Sequence, residues 1–395
     1  MSMRRATIVA STLSSFVLVA VSATAGGTAF GIGTDAHTCL PSIVALPLPA
    51  GFTNGDVLSA AADEAVGYVA DDSQHQHVAV WQRSRGAWSV TDLGDFGITE
   101  PFSGLSATGV NGSGLVSIGV NTNVMGAWVF THGAVHRLAD FAGGQQAFAR
   151  AVSSDGKIVG EALDASGNDF AALWPQWWSA PVALSPVAGY DGSFAQGIDS
   201  QGDVVGGSFS NGPSPTVATR WTPAGRPVAL PGLGGPAQAF DVATPHRVVG
   251  VANTEAGPRA VVWDSHDGVR DLGVFAGLQF SRAIGVAEGG VVVGFEGSNP
   301  PPPAIPLRRV LLWPGTGPVR SLLPLSLNWS DGAYSHSADD HGNVFGASSA
   351  GAMPRPTEWT CALAQSFVPG ATGVGSEPST WPSVVGLDSG GSSRP

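Results

Sequence analysis

The feature that most limits what this chain can become is an internal repeat. An apolar run closed by a tryptophan recurs at Trp81, Trp128, Trp174, Trp221, Trp263, Trp313 and Trp359, with gaps of 47, 46, 47, 42, 50 and 46 residues. Upstream of each stands a glycine, usually after two β-branched residues, as in "KIVG", "DVVG", "RVVG" and "VVVG". These are Gly67, Gly119, Gly160, Gly206, Gly250, Gly294 and Gly346. A period of this size marks units that stack on their neighbours because none can bury its apolar face alone. The tryptophan column reads as filling between stacked sheets. The glycine column reads as a bulge or a close backbone approach.

The unit from Phe194 to Gly235 shows what each copy contains. "FAQGID" is a strand, "DSQG" a turn, "DVVGGSF" and "TVATRW" two further strands, and "PVALPGL" a fourth after the turn "TPAG". No window keeps a 3.6-residue apolar period between two caps, so helices are not expected. Four short antiparallel strands in each of seven units predict an all-β chain: a seven-bladed β-propeller of four-stranded blades over residues 39–362. Composition agrees. With 55 Gly, 29 Pro and only 12% charged residues, the chain suits short strands and tight turns and is too apolar to be disordered.

The seventh copy breaks off after "EWTC", without a fourth strand. The missing piece sits at the other end of the chain, where "VALPLPAG" in the stretch Cys39 to Phe52 resembles "VALPGLGG" at Val228 to Gly235. The N-terminal strand is therefore expected to complete the last blade and close the ring, which removes free sheet edges. Cys39 and Cys361 then face each other across the same hairpin position and are expected to form a disulfide. Such a bond across so long a loop is worth about 5 kcal/mol at most in the chain-entropy picture.

The start of the chain, "MSMRRATIVASTLSSFVLVAVSATAGG", has two arginines, an apolar stretch and the small-x-small pattern Ala23-Thr24-Ala25. Residues 1–25 are expected to be a signal peptide cleaved after Ala25, because the apolar stretch is shorter than the ~20 residues a membrane span needs. Residues 26–38 read as a short linker and 363–395 as a disordered Pro/Gly/Ser-rich tail. The mature protein is then secreted and extracellular, in a compartment that permits the disulfide, with no membrane span after signal cleavage.

With the repeat laid out, "HVAVWQ…VTDLGDF" from His77, "AVVWDSHDGVRDLGVFAG" and "SRAIGVAEGGVVVG" resemble the bacterial extracellular HAF repeats. The likeness covers roughly residues 40–362, though only the first unit keeps a histidine shortly before its tryptophan and several lack "LGG". The resemblance implies a secreted, β-propeller-like repeat protein. It supplies no activity or catalytic set to carry over.

Chemistry is sparse. A formal net charge of −12 and the lack of any basic cluster beyond the N-terminus exclude nucleic acid as a partner. There is no phosphate loop, no GxSxG elbow and no Cys–His pair free for catalysis, so neither a cofactor nor a metal is expected. His75 and His77, with Asp71 or Asp72, are the best metal set, but a solvated hairpin explains them better. "SSDGK", "DSQGD" and "DDHGN" read as hairpin turns rather than calcium loops.

Two features suggest ligand binding. Aligning the innermost strands places Ala60, Ala107, Arg150, Gln196, Asp241, Arg282 and His336 in one column. Five of these seven are polar, which points to a surface near the central channel, unless inter-blade pairs such as Asp241 with Arg282 satisfy one another. The adjacent Trp177 and Trp178 in "PQWWSAP" could stack on a sugar or a partner, against packing within their own hairpin. The leading expectation is a monomeric, non-catalytic binding or scaffolding module for an extracellular glycan or protein. The alternatives are a glycan-active enzyme, hydrolase or lyase, using Asp241, Arg282 and His336, and a purely structural envelope protein. The propeller fold alone does not choose among them.

Overall fold

The computed structural model describes residues 42–365, apart from 121–125, 213–214, 265–267, 275–277, 300–306, 315–317, 327–331 and 350–352, together with Ser383–Val385. The expected leader, linker and Cys39 lie outside the described residues, as does most of the tail. Seven blades of four antiparallel strands form a ring, a seven-bladed β-propeller, and the sheet of one blade carries a fifth strand at its outer edge. Blade 1 runs Asn54–Ala61, Glu64–Ala70, Gln76–Ser84 and Ala87–Gly94, from the inner strand outwards. The inner strands of blades 2 to 7 are Ser106–Val110, Ala147–Val152, Gly192–Ile198, Ala237–Ala243, Phe280–Val286 and Ala333–Ala338. Among the described residues, no helix is long and apolar enough to cross a membrane.

The ring closes as the incomplete seventh copy requires. Ser42–Ala45 pairs antiparallel with Pro354–Thr360, Ser42 opposite Thr360 and Ala45 opposite Thr357. It becomes the fourth strand of blade 7, beside Cys361, which is buried. The outer side of Ser42–Val44 pairs in parallel with Ser383–Val385.

The core is not central. Seven apolar clusters fill the seven seams between neighbouring blades. At the closing seam, Leu46 and Phe345 from blade 7 meet Val57, Ala65 and Trp81 of blade 1. Packed on both faces, the second strands are buried nearly end to end, as in Ile158–Leu163 and Val204–Phe209. Each unit contributes apolar side chains to two seams at once.

The tryptophans do more than fill space. The indole N–H of Trp81 donates to Pro47 O at 2.7 Å, Trp174 to Ala139 O at 2.8 Å, and Trp221 to Ser185 O at 2.7 Å. Trp263 reaches Pro231 O at 2.8 Å and Trp359 reaches Leu323 O at 2.7 Å. In each case the acceptor belongs to the preceding blade and follows a buried leucine (Leu46, Leu138, Leu184, Leu230 or Leu322). In these five blades one aromatic thus fills the seam and latches it to the blade before, whereas the Trp313 indole N–H of blade 6 has no partner among the described residues. The latch of Trp81 falls on the N-terminal segment itself.

Blade 2 departs from the expected columns. Trp174, Trp221, Trp263, Trp313 and Trp359 stand opposite the residue two before the strand glycine, and so does Trp81. Trp128 instead faces Ile118, and Phe130 faces Val116. Phe130 is therefore the column residue of blade 2, and Ile118 stands where the other blades have glycine. A slip of two residues keeps a side chain on the same sheet face, so apolar alternation does not expose it.

The glycine column has a steric cause. Every inner strand carries a one-residue bulge just past the residue facing that column, at Leu58, Thr108, Arg150, Gln196, Phe240, Ile284 and His336. A β-carbon on Gly160, Gly206, Gly250 or Gly294 would fall well inside contact distance of an inner-strand carbonyl oxygen, that of Phe148, Phe194, Gln238 or Arg282. The bulge turns its extra residue away from the ladder. All seven bulge residues are partly exposed, whereas the residue before each is fully buried.

Candidate functional site

The bulges build the central channel. A cavity of about 250 Å³ on the axis is lined by residues of all seven blades, including Leu58, Thr108, Gln196, Phe240, Ile284 and His336. This ring corrects the expected inner column. Arg150, Gln196 and His336 do hold bulge positions, though Arg150 does not line the cavity; Ala60, Ala107, Asp241 and Arg282 do not hold them, and Asp241 lines the cavity from the next tier. Their places are taken by Leu58, Thr108, Phe240 and Ile284. The extra residue of a bulge shifts alternation by one, and alignment on apolar character slid past it.

Asp241 belongs to the next tier, with Ser59, Gly109, Ala151, Gly197, Gly285 and Ser337. Inner strands converge there and the other six residues are small; a β-carbon on Gly197 would already touch the Asp241 backbone at 3.0 Å. Asp241 Oδ1 accepts from Val242 N at 2.8 Å, and Oδ2 accepts from Val286 N of blade 6 at 2.9 Å. Ser59 Oγ makes the same inter-blade link in blade 1, accepting from Val110 N at 3.3 Å. Asp241 is thus a seam bond rather than the partner of Arg282. Burial pushes its carboxyl up to about 7, Glu288 and Asp199 add to the rise, and the two backbone donors oppose it. It lines a mouth of about 300 Å³ with Glu288, Asp339 and Asp340 where the inner strands end.

His336 joins the closing seam. Its Nε2 lies 2.9 Å from Asp56 Oδ2 across blades 7 and 1. Burial works against the imidazolium, but the Asp56 carboxylate outweighs it and holds the histidine above its usual pKa. The phenol of Tyr334 is pushed up by Asp56 and by burial, in the same negative field.

The other mouth, where the inner strands begin, is wider and of opposite character. A cavity of about 460 Å³ over blades 3 to 6 is lined by Arg150, Glu161, Phe194, Gln196, Gln238, Asn253 and Arg282, among others. A neighbouring cavity of about 630 Å³ between blades 5 and 6 is lined by Gln279, Phe280, Arg282, Phe295, Asn299 and Arg308. Arg282 is common to both. It occupies the tier before the bulge, with Asp56, Ser106, Phe148, Phe194, Gln238 and Tyr334. This tier, unlike the bulge tier, is polar or aromatic throughout.

Arg150 is spoken for: Nη2 meets Glu161 Oε1 at 2.7 Å and the guanidinium lies 4.5 Å from the Phe148 ring. Arg282 is exposed and makes no ion pair among the described residues. Of the expected set, Arg150, Gln196 and Arg282 come together at this mouth. Gln238, Phe194, Phe295 and Arg308 were missed. Counting ten residues back from Gly160, Gly206, Gly250, Gly294 and Gly346 returns the bulge tier, and twelve back returns the tier of Phe194, Gln238 and Arg282.

The ring of Trp177 lies 4.4 Å from that of His136 of blade 2, tilted by 31°, and meets Trp178 edge-on at 5.2 Å. Trp177 packs into the seam between blades 2 and 3, and Trp178 remains 67% exposed. The pair is remote in the fold from the channel, on the outer hairpin of blade 3. His75 and His77 turn to different partners, Asp71 at 3.1 Å and Asp92 at 2.9 Å. Among the described residues no group of three or more His, Cys, Asp or Glu could hold a metal ion. The acidic hairpins are turns: Asp199 Oδ1 accepts from Gln201 N and Asp203 N, both at 2.9 Å.

No family model and no curated protein matches the chain. Among solved structures it is similar to a putative TolB from Agrobacterium tumefaciens, at 12% identity and a TM-score of 0.43, covering 59% of this chain and 83% of that one. It is similar to a prolyl endopeptidase at 14% identity and a TM-score of 0.48, covering 80% of this chain and 50% of that one. A six-bladed fungal lectin from Aleuria aurantia that recognises fucose matches at 11% identity and a TM-score of 0.35, over 86% of this chain and 98% of that one. At such identities the likeness is one of fold.

Proposed function

We propose that the protein is an exported, monomeric, non-catalytic binding module whose ligand enters the wide mouth over blades 3 to 6. The observation that carries this reading is Arg282, an exposed guanidinium with no ion pair among the described residues, shared by two adjoining cavities. Cavities of this size with a few convergent polar groups suit small ligands or the tip of a larger one. Export rests on the leader-like residues 1–25, and kinship with the HAF repeats rests on the stretches quoted above. The enzyme reading relied on Asp241 acting with Arg282 and His336. Both oxygens of Asp241 are held by backbone N–H groups in a seam, which favours the binding role.

An array of saccharides and peptides, probed with the protein and with Gln238→Trp, tests the reading. The bulky residue should abolish binding while the melting temperature stays within a few degrees. Binding that survives the blocked mouth, or turnover of a bound glycan, would sink it.

A further inference from the structure

We infer that the wide mouth binds an acidic oligosaccharide, with a uronate carboxylate clamped by Arg282 and the sugar chain extending along both cavities. The inference rests on the binding role proposed above and names its ligand class. Its first support is electrostatic. Arg308 donates to Ser298 O at 3.1 Å and Asn299 Oδ1 at 3.0 Å, with its guanidinium 4.8 Å from the Phe280 ring. Burial and the nearby charge of Arg282 together press its pKa down. Two guanidinium groups thus line one cavity, and an anion there is attracted to both. Arginine's planar fork matches a carboxylate, which can accept two parallel bonds from it.

The second support is the rest of the lining. Gln196, Gln238 and Asn253 in one cavity, and Gln279 and Asn299 in the other, are carboxamides. A carboxamide carries both a donor and an acceptor, which suits hydroxyl groups that also do both. In the second cavity Asn299 Oδ1 and Gln279 Oε1 already accept from Arg308 and from Asn299 N, which leaves their amide N–H groups for a ligand. Phe194 and Phe295 are half-buried beside them and offer apolar surface to the C–H face of a sugar ring. A polyphosphate or nucleic acid would call for more cations than this mouth holds on a chain of net charge −12. An acidic peptide would satisfy Arg282 but would leave most of the carboxamides without matched hydroxyls.

Calorimetric titration of the full chain with tetramers of galacturonate, mannuronate and hyaluronan, each beside its neutral methyl ester, tests the inference. At least one acid should bind, its ester should bind roughly tenfold more weakly or worse, and added salt should weaken only the acid. Arg282→Ala should reduce the acid to the ester's affinity with no change in melting temperature. Arg282→Lys should recover part of the loss, because it restores the charge without the fork. Equal affinity for acid and ester, or an unaffected Arg282→Ala variant, would overturn the clamp. Binding of tetraglutamate but of none of the saccharides would replace the ligand class and leave the binding module standing. Failure of every probe, together with an array pattern indifferent to Gln238→Trp, would remove both.

Discussion

Asp169 illustrates how one residue position sets a pH response. It opens the third strand of blade 3, with Oδ1 buried and without a hydrogen-bond partner among the described residues. Burial pushes its pKa from 3.8 to about 7, Glu161 adds to the rise, and Arg150 opposes it. The folded chain therefore keeps a proton that the unfolded chain releases near pH 4. The associated stability is complete below about pH 4 and is lost as the pH rises through about 7. Three units amount to roughly 4 kcal/mol, which partial solvent access reduces to about 1–2 kcal/mol. Asp169→Asn should raise the melting temperature at pH 8 and leave it unchanged at pH 4. An Asn variant no more stable than the parent at pH 8 would show that the carboxyl is solvated after all.

The strand glycines and tryptophans work at the scale of the element. The bulge forces a carbonyl against the second strand, and six of the seven blades have glycine there, blade 2 having Ile118 instead. The same bulge frees a side chain to face the channel. In five blades the tryptophan on the third strand closes the seam by packing and by one hydrogen bond to the preceding blade. Trp221→Phe removes the donor to Ser185 O and some volume, and should cost about 2–3 kcal/mol in denaturant unfolding. Trp128→Phe should cost less than about 1 kcal/mol, since that ring is only partly buried and stacks at 5.6 Å on Phe96. Equal costs for the two would mean that Trp128, not Phe130, carries the latch position. Both columns were legible in the sequence because they repeat. The slip in blade 2 was not, because Trp128 and Phe130 share a face.

For the whole molecule, closure by the N-terminal strand makes the two ends of the propeller one blade. Removing residues 39–52 strips the partner from Pro354–Thr360 and the acceptor from the Trp81 indole, so it should expose a sheet edge and promote aggregation. We propose that Cys39 joins Cys361, since Ser42, three residues after Cys39 in the sequence, pairs with Thr360, one residue before Cys361. Intact mass of secreted, unreduced material tests this together with export. The chain should begin at Gly26 and weigh two hydrogen atoms less than its reduced form. A retained leader would overturn export, and two free thiols would overturn the disulfide. Cys39→Ser should lower stability by less than the strand deletion does, because the strand's hydrogen bonds and apolar face remain.

Period and residue type alone determined the blade count, the antiparallel four-strand unit and the exchange of the missing strand. These follow from alternation and turn chemistry, which are local and recur seven times. The composition of the channel was decided only in three dimensions. A bulge shifts register by one residue and reverses which side chains face the axis, so Asp241 went to a seam and Ile284 took the place expected for Arg282. The wide mouth assembles residues from blades 3 to 6, and the sequence gives their distances along the chain but not their convergence. Which arginine is left without a carboxylate depends on that convergence. Arg150 has Glu161 across its own blade, and Arg282 makes no ion pair among the described residues.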